Sequence, residues 1–131
     1  METTEWASQS VFAIKQDTKL LGEFIVKKGG EFLVDLIKEK NIDISSLDYY
    51  LPHLSSKFFA SKIDSEHQAL GIDIPMSKWF TNLAWVGNVG AASALLILEE
   101  LMNTGKLKRG MKLLMMVPES ARFNYAYLHF T

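Results

Sequence analysis

WVGNVGAASALLILEEL, residues 85–101, changes character partway along: an aromatic approach, then Gly-Asn-Val-Gly, then an apolar run. Gly and Asn both tolerate positive φ, so one reading of residues 87–90 is a tight turn and nothing more. The other is a turn that holds Asn88 out at the start of a helix, where unpaired N–H groups and a side-chain amide can meet a reacting molecule. The apolar run predicts a helix over about residues 90–103, with Leu95, Leu98, Leu101 and Met102 as core candidates and Gly105 as its stop.

The flanks complete a pattern. Upstream, IDIPMSKWFTNLAW leads through a proline-marked loop into a strand around residues 78–83. Before it, LSSKFFASKIDSEHQALG reads as a helix with Ser55 or Ser56 as its cap, Gly71 as its stop, and Phe58, Phe59, Ile63 and Leu70 inside. In LDYYLPH, Leu47, Tyr49 and Leu51 alternate with Asp48 and Tyr50, a short strand ended by Pro52. Residues 18–40 carry an apolar stripe through Leu21, Ile25, Phe32, Leu33 and Leu36, with Asp17 or Thr18 as cap and Asn41 at the left-handed end. Gly29-Gly30 inside that stretch either breaks the helix or lets another backbone pack close. Downstream, GMKLLMMVP and RFNYAYLHF predict two further strands. Helix, strand, helix, strand, helix, strand, strand is the order of an α/β domain. Its expected sheet is mixed, of about four to five strands, packed by helices and closed by an antiparallel pair.

Composition narrows the function. The 131 residues fit one domain with a real core, 48% being hydrophobic. Fourteen Lys and Arg against fifteen Asp and Glu give a net charge of −1, and no basic arm suggests nucleic-acid binding. Lys106, Lys108 and Arg109 cluster in a turn, read as a solvated loop. With no cysteine there is no thiol nucleophile and no thiolate metal site. His53, His67 and His129 lack metal-motif spacing, so neither metal nor cofactor is expected. His67, flanked by Glu66 and Gln68, reads as a surface residue and His129 as structural. No signal pattern opens the chain, its apolar runs are too short for a bilayer, and a cytoplasmic location is expected.

His53 and Asn88 each follow a predicted strand and precede a helix. Open α/β sheets place ligands at the carboxyl ends of their strands, so parallel neighbours would bring the two together. An imidazole and a carboxamide can both donate to an oxygen that gains negative charge, as an enolate or a tetrahedral intermediate. Each taken alone reads more simply as a turn residue. Gly87 and Gly90 also allow an anion cradle, but a full dinucleotide fingerprint and a P-loop Lys-Ser are both missing. No G-x-S-x-G is present, and Ser93 sits inside the predicted helix, which argues against a serine hydrolase.

DYYLPHLSS followed by WVGNVGAASALLILEELMNTGKLKRGMKLLMMV resembles the carboxyl-terminal half of a β-ketoacyl-acyl-carrier-protein synthase III, of the thiolase-like superfamily. The shared marks are a strand ending in Pro-His, a Gly-Asn-Thr-Ser-Ala-Ala-Ser-like turn, and a helix ending in a Gly-x-Leu-Lys-x-Gly pattern, here TGKLKRG at residues 104–110. The likeness runs from about Val11 to the end. It implies condensation of an acyl thioester with malonyl-carrier protein, with loss of carbon dioxide. A cysteine of the amino-terminal half carries the acyl group, and the family's His and Asn fall on His53 and Asn88.

The same resemblance implies that residues 1–131 form a single domain within a longer, homodimeric enzyme. Its partners would be that enzyme's amino-terminal half and acyl carrier protein or acyl-CoA, with no nucleic acid and no membrane. Alone, the domain is expected to expose apolar surface. The family's Gln-Ala-Asn after the His is replaced by Leu54, Ser55 and Ser56, so Ser56 stands as a substrate-binding candidate beside Gly87 of the turn. Residues 117–123, VPESARF, stand where the family carries a glycine-rich loop that shapes the acyl site. The rival expectation is a non-catalytic half kept for dimerisation or carrier-protein binding.

Overall fold

The computed structural model describes residues 3–8 and 16–131; Val11, where the family likeness begins, lies outside them. A short helix, α1 (Thr3–Ser8), precedes α2 (Thr18–Lys40), β1 (Tyr49–Pro52), α3 (Phe58–Ala69), the single turn α4 (Leu83–Val86), α5 (Ser93–Asn103), β2 (Leu113–Glu119) and β3 (Asn124–Phe130). The class is α/β with a mixed sheet, as expected. The sheet has three strands, not four or five, in the order β1-β2-β3.

β2 lies at the centre, parallel to β1 from Tyr49↔Leu113 to Pro52↔Met116 and antiparallel to β3 from Leu113↔Phe130 to Glu119↔Asn124. Asp48 pins the register, its Oδ2 accepting from Lys112 N at 2.8 Å while its own N–H donates to Lys112 O. Alternate side chains then serve opposite layers. Tyr50, Leu114 and Met116 enter a core with Leu33, Leu54 and Ile63 on the α2–α3 side. Leu51, Leu113 and Met115 enter a second core with Ala94, Ile97 and Leu101 of α5. Because both faces are covered, LLMM is buried throughout and Tyr50, expected to face out, is fully enclosed.

The strand expected at residues 78–83 is not formed. Pro75 leads into a 3₁₀ turn, Met76–Lys78, and pairing with β1 shrinks to a Tyr50↔Trp79 bridge and a Phe80 N–H to Tyr50 O bond of 2.9 Å. Trp79 turns inward, edge-on to Tyr50 at 5.2 Å and donating from Nε1 to Ile74 O. Three residues later the Asn82 carbonyl accepts from Trp85 and Val86, starting α4. Residues 117–123 are also not all loop: β2 runs to Glu119, and the reversal is a tight turn with Phe123 at φ 55°.

α2 is continuous through Gly29-Gly30, so of the two readings close approach is the one seen. A Cβ on Gly29 would collide with the Tyr125 ring, and the Tyr125 and Tyr127 hydroxyls donate to Ile25 O (2.5 Å) and Gly29 O (3.0 Å). Asp17 Oδ1 caps the helix at Leu20 N, and Asn41 closes it at φ 51°. Several core candidates prove to be surface: Phe58 is 61% exposed, Leu95 67% and Met102 59%, and Leu70 is partly exposed at the end of α3. His67 corrects the opposite way. It is 2% exposed, one turn from Ile63 on the inner face of α3, packed against Tyr50 and Trp79. His129 is exposed on β3, and the basic turn at residues 106–109 is solvated on its Lys and Arg side chains. Among the described residues no helix is long and apolar enough to cross a membrane.

Candidate functional site

His53 follows the last residue of β1, and its N–H donates to Met116 O at 2.9 Å, extending the ladder by one residue before the chain leaves the sheet. Its ring is thereby held at the carboxyl end of the strand, 9% exposed. Asn88 arrives from the other side. α4 ends at Gly87, φ 80°, and Gly90 follows at φ 66°, two left-handed turns that a β-carbon would strain. Between them Asn88 folds back on its own backbone, Oδ1 accepting from Gly90 N at 3.0 Å. The Ser93 hydroxyl, buried at the start of α5, accepts from Val89 N at 3.0 Å and lies 3.5 Å from the same Oδ1.

His53 Nε2 stands 3.2 Å from Asn88 Oδ1. The pair expected from matched loop positions is therefore in contact, although Asn88 follows a helical turn and not a strand. The geometry also settles the polar atoms. Gly90 N–H can only donate, so the atom facing it is the amide oxygen. His53 Nε2, facing that oxygen, carries the proton in the neutral ring. Asn88 Nδ2 keeps its hydrogens for another acceptor.

Both residues line a cavity of about 380 Å³, with Leu54, Ile63, Met116 and Tyr125 among its walls and Glu119 and Ser120 at one side. Two donors in a cavity whose lining is mostly apolar suit a molecule with one polar reacting centre and an apolar body. Glu119 is occupied locally, its carboxylate accepting from Ala121 N (2.7 Å) and Arg122 N (3.1 Å). Burial pushes the Tyr125 phenol well up, so it stays a donor, engaged with Ile25 O. Among the described residues no group of three His, Asp or Glu could hold a metal ion.

Ser56 is exposed and its Oγ accepts from Phe58 N at 3.2 Å, while its neighbour Ser55 lines the cavity. Gly87 borders a second, narrow cleft on the far side of His53. Ser93, unsuited as a nucleophile, is instead an anchor for the Asn88 turn. Its signal was present: Asn88 followed five residues later by a hydroxyl at a helix start.

A family model described as 3-oxoacyl-[acyl-carrier-protein (ACP)] synthase III C terminal matches residues 37–118. The chain is 32% identical over 102 residues to the β-ketoacyl-[acyl-carrier-protein] synthase III of Clostridium perfringens, covering 78% of this chain and 30% of that protein. It is 25% identical over 100 residues to the Streptococcus pyogenes protein of the same name, covering 76% and 29%. It therefore spans about 30% of the length of these curated relatives. Among solved structures, a variant of Xanthomonas campestris OleA is similar at TM-score 0.73 and 25% identity, over 86% of this chain and 31% of the other. The 3-oxoacyl-(acyl carrier protein) synthase III of Pseudomonas aeruginosa is similar in fold at TM-score 0.72 and 20% identity, over 88% and 35%. The chain belongs to the 3-oxoacyl-[acyl-carrier-protein] synthase III C-terminal family, of the thiolase-like superfamily.

Proposed function

We propose that this chain is one domain of a carbon–carbon condensing acyltransferase, in which His53 and Asn88 hold the carbonyl oxygen of a malonyl thioester. As carbon dioxide leaves, the electron pair of the breaking bond moves into the thioester and builds charge on that oxygen. His53 Nε2–H, turning from Asn88 Oδ1 to the substrate oxygen, and Asn88 Nδ2–H stabilise the enolate, each such donor being worth roughly 3 kcal/mol of barrier. The enolate carbon then attacks an acyl thioester carried on a cysteine, and the thiolate leaves. This chain has no cysteine, so that nucleophile belongs to the amino-terminal half.

The observation that carries the reading is the 3.2 Å approach of His53 Nε2 to Asn88 Oδ1 at the wall of an apolar cavity. The cavity is the proposed place of the acyl or pantetheine portion of a carrier-protein or coenzyme A substrate. Ser56 at the head of α3 and Gly87 behind Asn88 complete the substrate side. Trp85, Val89, Leu95 and Met102, all exposed, support a covering amino-terminal half and a dimeric whole.

The test offers malonyl-carrier protein first to this chain alone and then to the chain with its proposed amino-terminal half supplied, and reads the carbon dioxide released. Turnover only with both halves is expected. A folded, reassembled pair that releases no carbon dioxide would favour the non-catalytic domain instead, and Leu54–Ser56 would then be the segment to exchange.

A further inference from the structure

Asn88 fixes the proton of His53 on Nε2, and this leaves Nδ1 with a lone pair that needs a donor. In the structure Nδ1 is buried and has no partner. So is Asn82 Nδ2, a donor on a side chain only 2% exposed. The two residues line the same narrow cleft, which has no room for a water molecule. Water therefore cannot satisfy either atom. The cleft's other polar side chains are Thr81 and Ser93, and Ser93 is already committed to Val89 N and Asn88 Oδ1.

A buried donor and a buried acceptor, each unpaired in one dry cleft, cost more apart than together. We infer that Asn82 is the positioning residue of His53, donating from Nδ2 to Nδ1 and holding the ring in the Nε2–H tautomer. Asn82 is well seated for this, because its carbonyl accepts the first N–H groups of α4 and fixes its backbone, leaving only two side-chain torsions to close the contact. The consequence for chemistry rests on the proposed oxyanion role of His53; the tautomer itself does not. With Nδ1 occupied, the Nε2–H points to Asn88 and to whatever oxygen enters the cavity. The reverse tautomer would present a lone pair to that oxygen and repel it.

The test is long-range ¹⁵N–¹H NMR of the imidazoles in the ¹⁵N-histidine-labelled chain, which reads the tautomer without any catalysis. The wild-type protein is expected to show His53 as Nε2–H. Asn82→Ala should lower the Nε2–H to Nδ1–H ratio by about tenfold. Asn82→Asp, whose carboxylate only accepts, should reverse the tautomer. Thr81→Val should leave it unchanged. In the complete enzyme Asn82→Asp should lower kcat for decarboxylation by about 10- to 100-fold with KM little altered. A wild-type His53 found as Nδ1–H overturns the inference whether or not any variant folds. So does an Nε2–H signal that persists in folded Asn82→Asp. Loss of the tautomer preference in Thr81→Val transfers the role to Thr81 and equally overturns it.

Discussion

Asn88 makes its amide work twice, the oxygen inward and the nitrogen outward. Oδ1 is consumed by Gly90 N, Ser93 Oγ and His53 Nε2, so the turn and the pairing depend on an acceptor, whereas the proposed oxyanion role depends on the Nδ2 donor. Asn88→Asp keeps the acceptor and removes the donor. Decarboxylation by the complete enzyme should fall by about a hundredfold or more, while thermal unfolding of the domain moves little. Comparable losses in both measurements would mean that Asn88 is only a turn residue. Ser93→Ala strips the partner from Val89 N and should cost about 1 kcal/mol in chemical denaturation, with a smaller loss of turnover than at Asn88.

His67 is expected to make the fold sensitive to acid. Burial against Tyr50 and Trp79 lowers its pKa from 6.5 to about 4, with Asp64 opposing weakly. The folded protein thus resists the protonation that the unfolded chain accepts near pH 6.5. Its contribution is complete above that pH and is lost as pH falls towards 4, amounting to about 3 kcal/mol at the acid end. Urea denaturation across pH 7 to 4 should show this decline, and His67→Phe should flatten it. An identical slope in the variant would assign the acid sensitivity elsewhere.

At the scale of elements, α2 is locked to the sheet by contact with Tyr125 and Tyr127, not by its own propensity. Gly29→Ala gains helix propensity but pushes the Tyr125 ring off and breaks its bond to Ile25 O. The net result should be a loss of about 1–3 kcal/mol. Gly22, on the same helix, has nothing within 4 Å of a built Cβ, so Gly22→Ala should stabilise by about 0.5–1 kcal/mol. Thermal melts of the two variants should shift in opposite directions. A stabilising Gly29→Ala would show that the tyrosines do not hold the helix.

The same elements show what the sequence discloses. α2, with its Asp17 cap, apolar stripe and Asn41 stop, and the existence of α3, α5 and the β2–β3 hairpin were legible; the inner faces of α3 and α5 were not, since Phe58, Leu95 and Met102 lie on the surface. Residues 78–83 have a strand's composition, yet Trp79 finds more partners by turning into Tyr50 and His67 than by continuing the ladder. His67 was misread because its neighbours Glu66 and Gln68 are polar, while the face it shares with Ile63 is not. His53 and Asn88 were legible from their flanks. Asn82 was not, because a buried unpaired amide is visible only when the cleft around it is.

Over the whole molecule, apolar side chains that would stabilise a core lie bare. Leu95 and Met102 face outward from α5, and Trp85 is exposed although its indole N–H donates to Glu100 at 2.6 Å. The isolated chain should therefore bind a hydrophobic dye and self-associate, and adding the proposed amino-terminal half should suppress both. Sedimentation of the mixture would show a defined complex; an unchanged monomer, dark to the dye, would mean that this face needs no cover.

The central claim is that His53 and Asn88 act as one oxyanion-binding unit, and a double-mutant cycle on malonyl-carrier decarboxylation tests it most directly. In the complete enzyme His53→Ala and Asn88→Ala should each lower kcat by about a hundredfold or more, with the double variant losing far less than the product of the two. Near-wild-type turnover in either single variant, or losses that simply multiply, would contradict it.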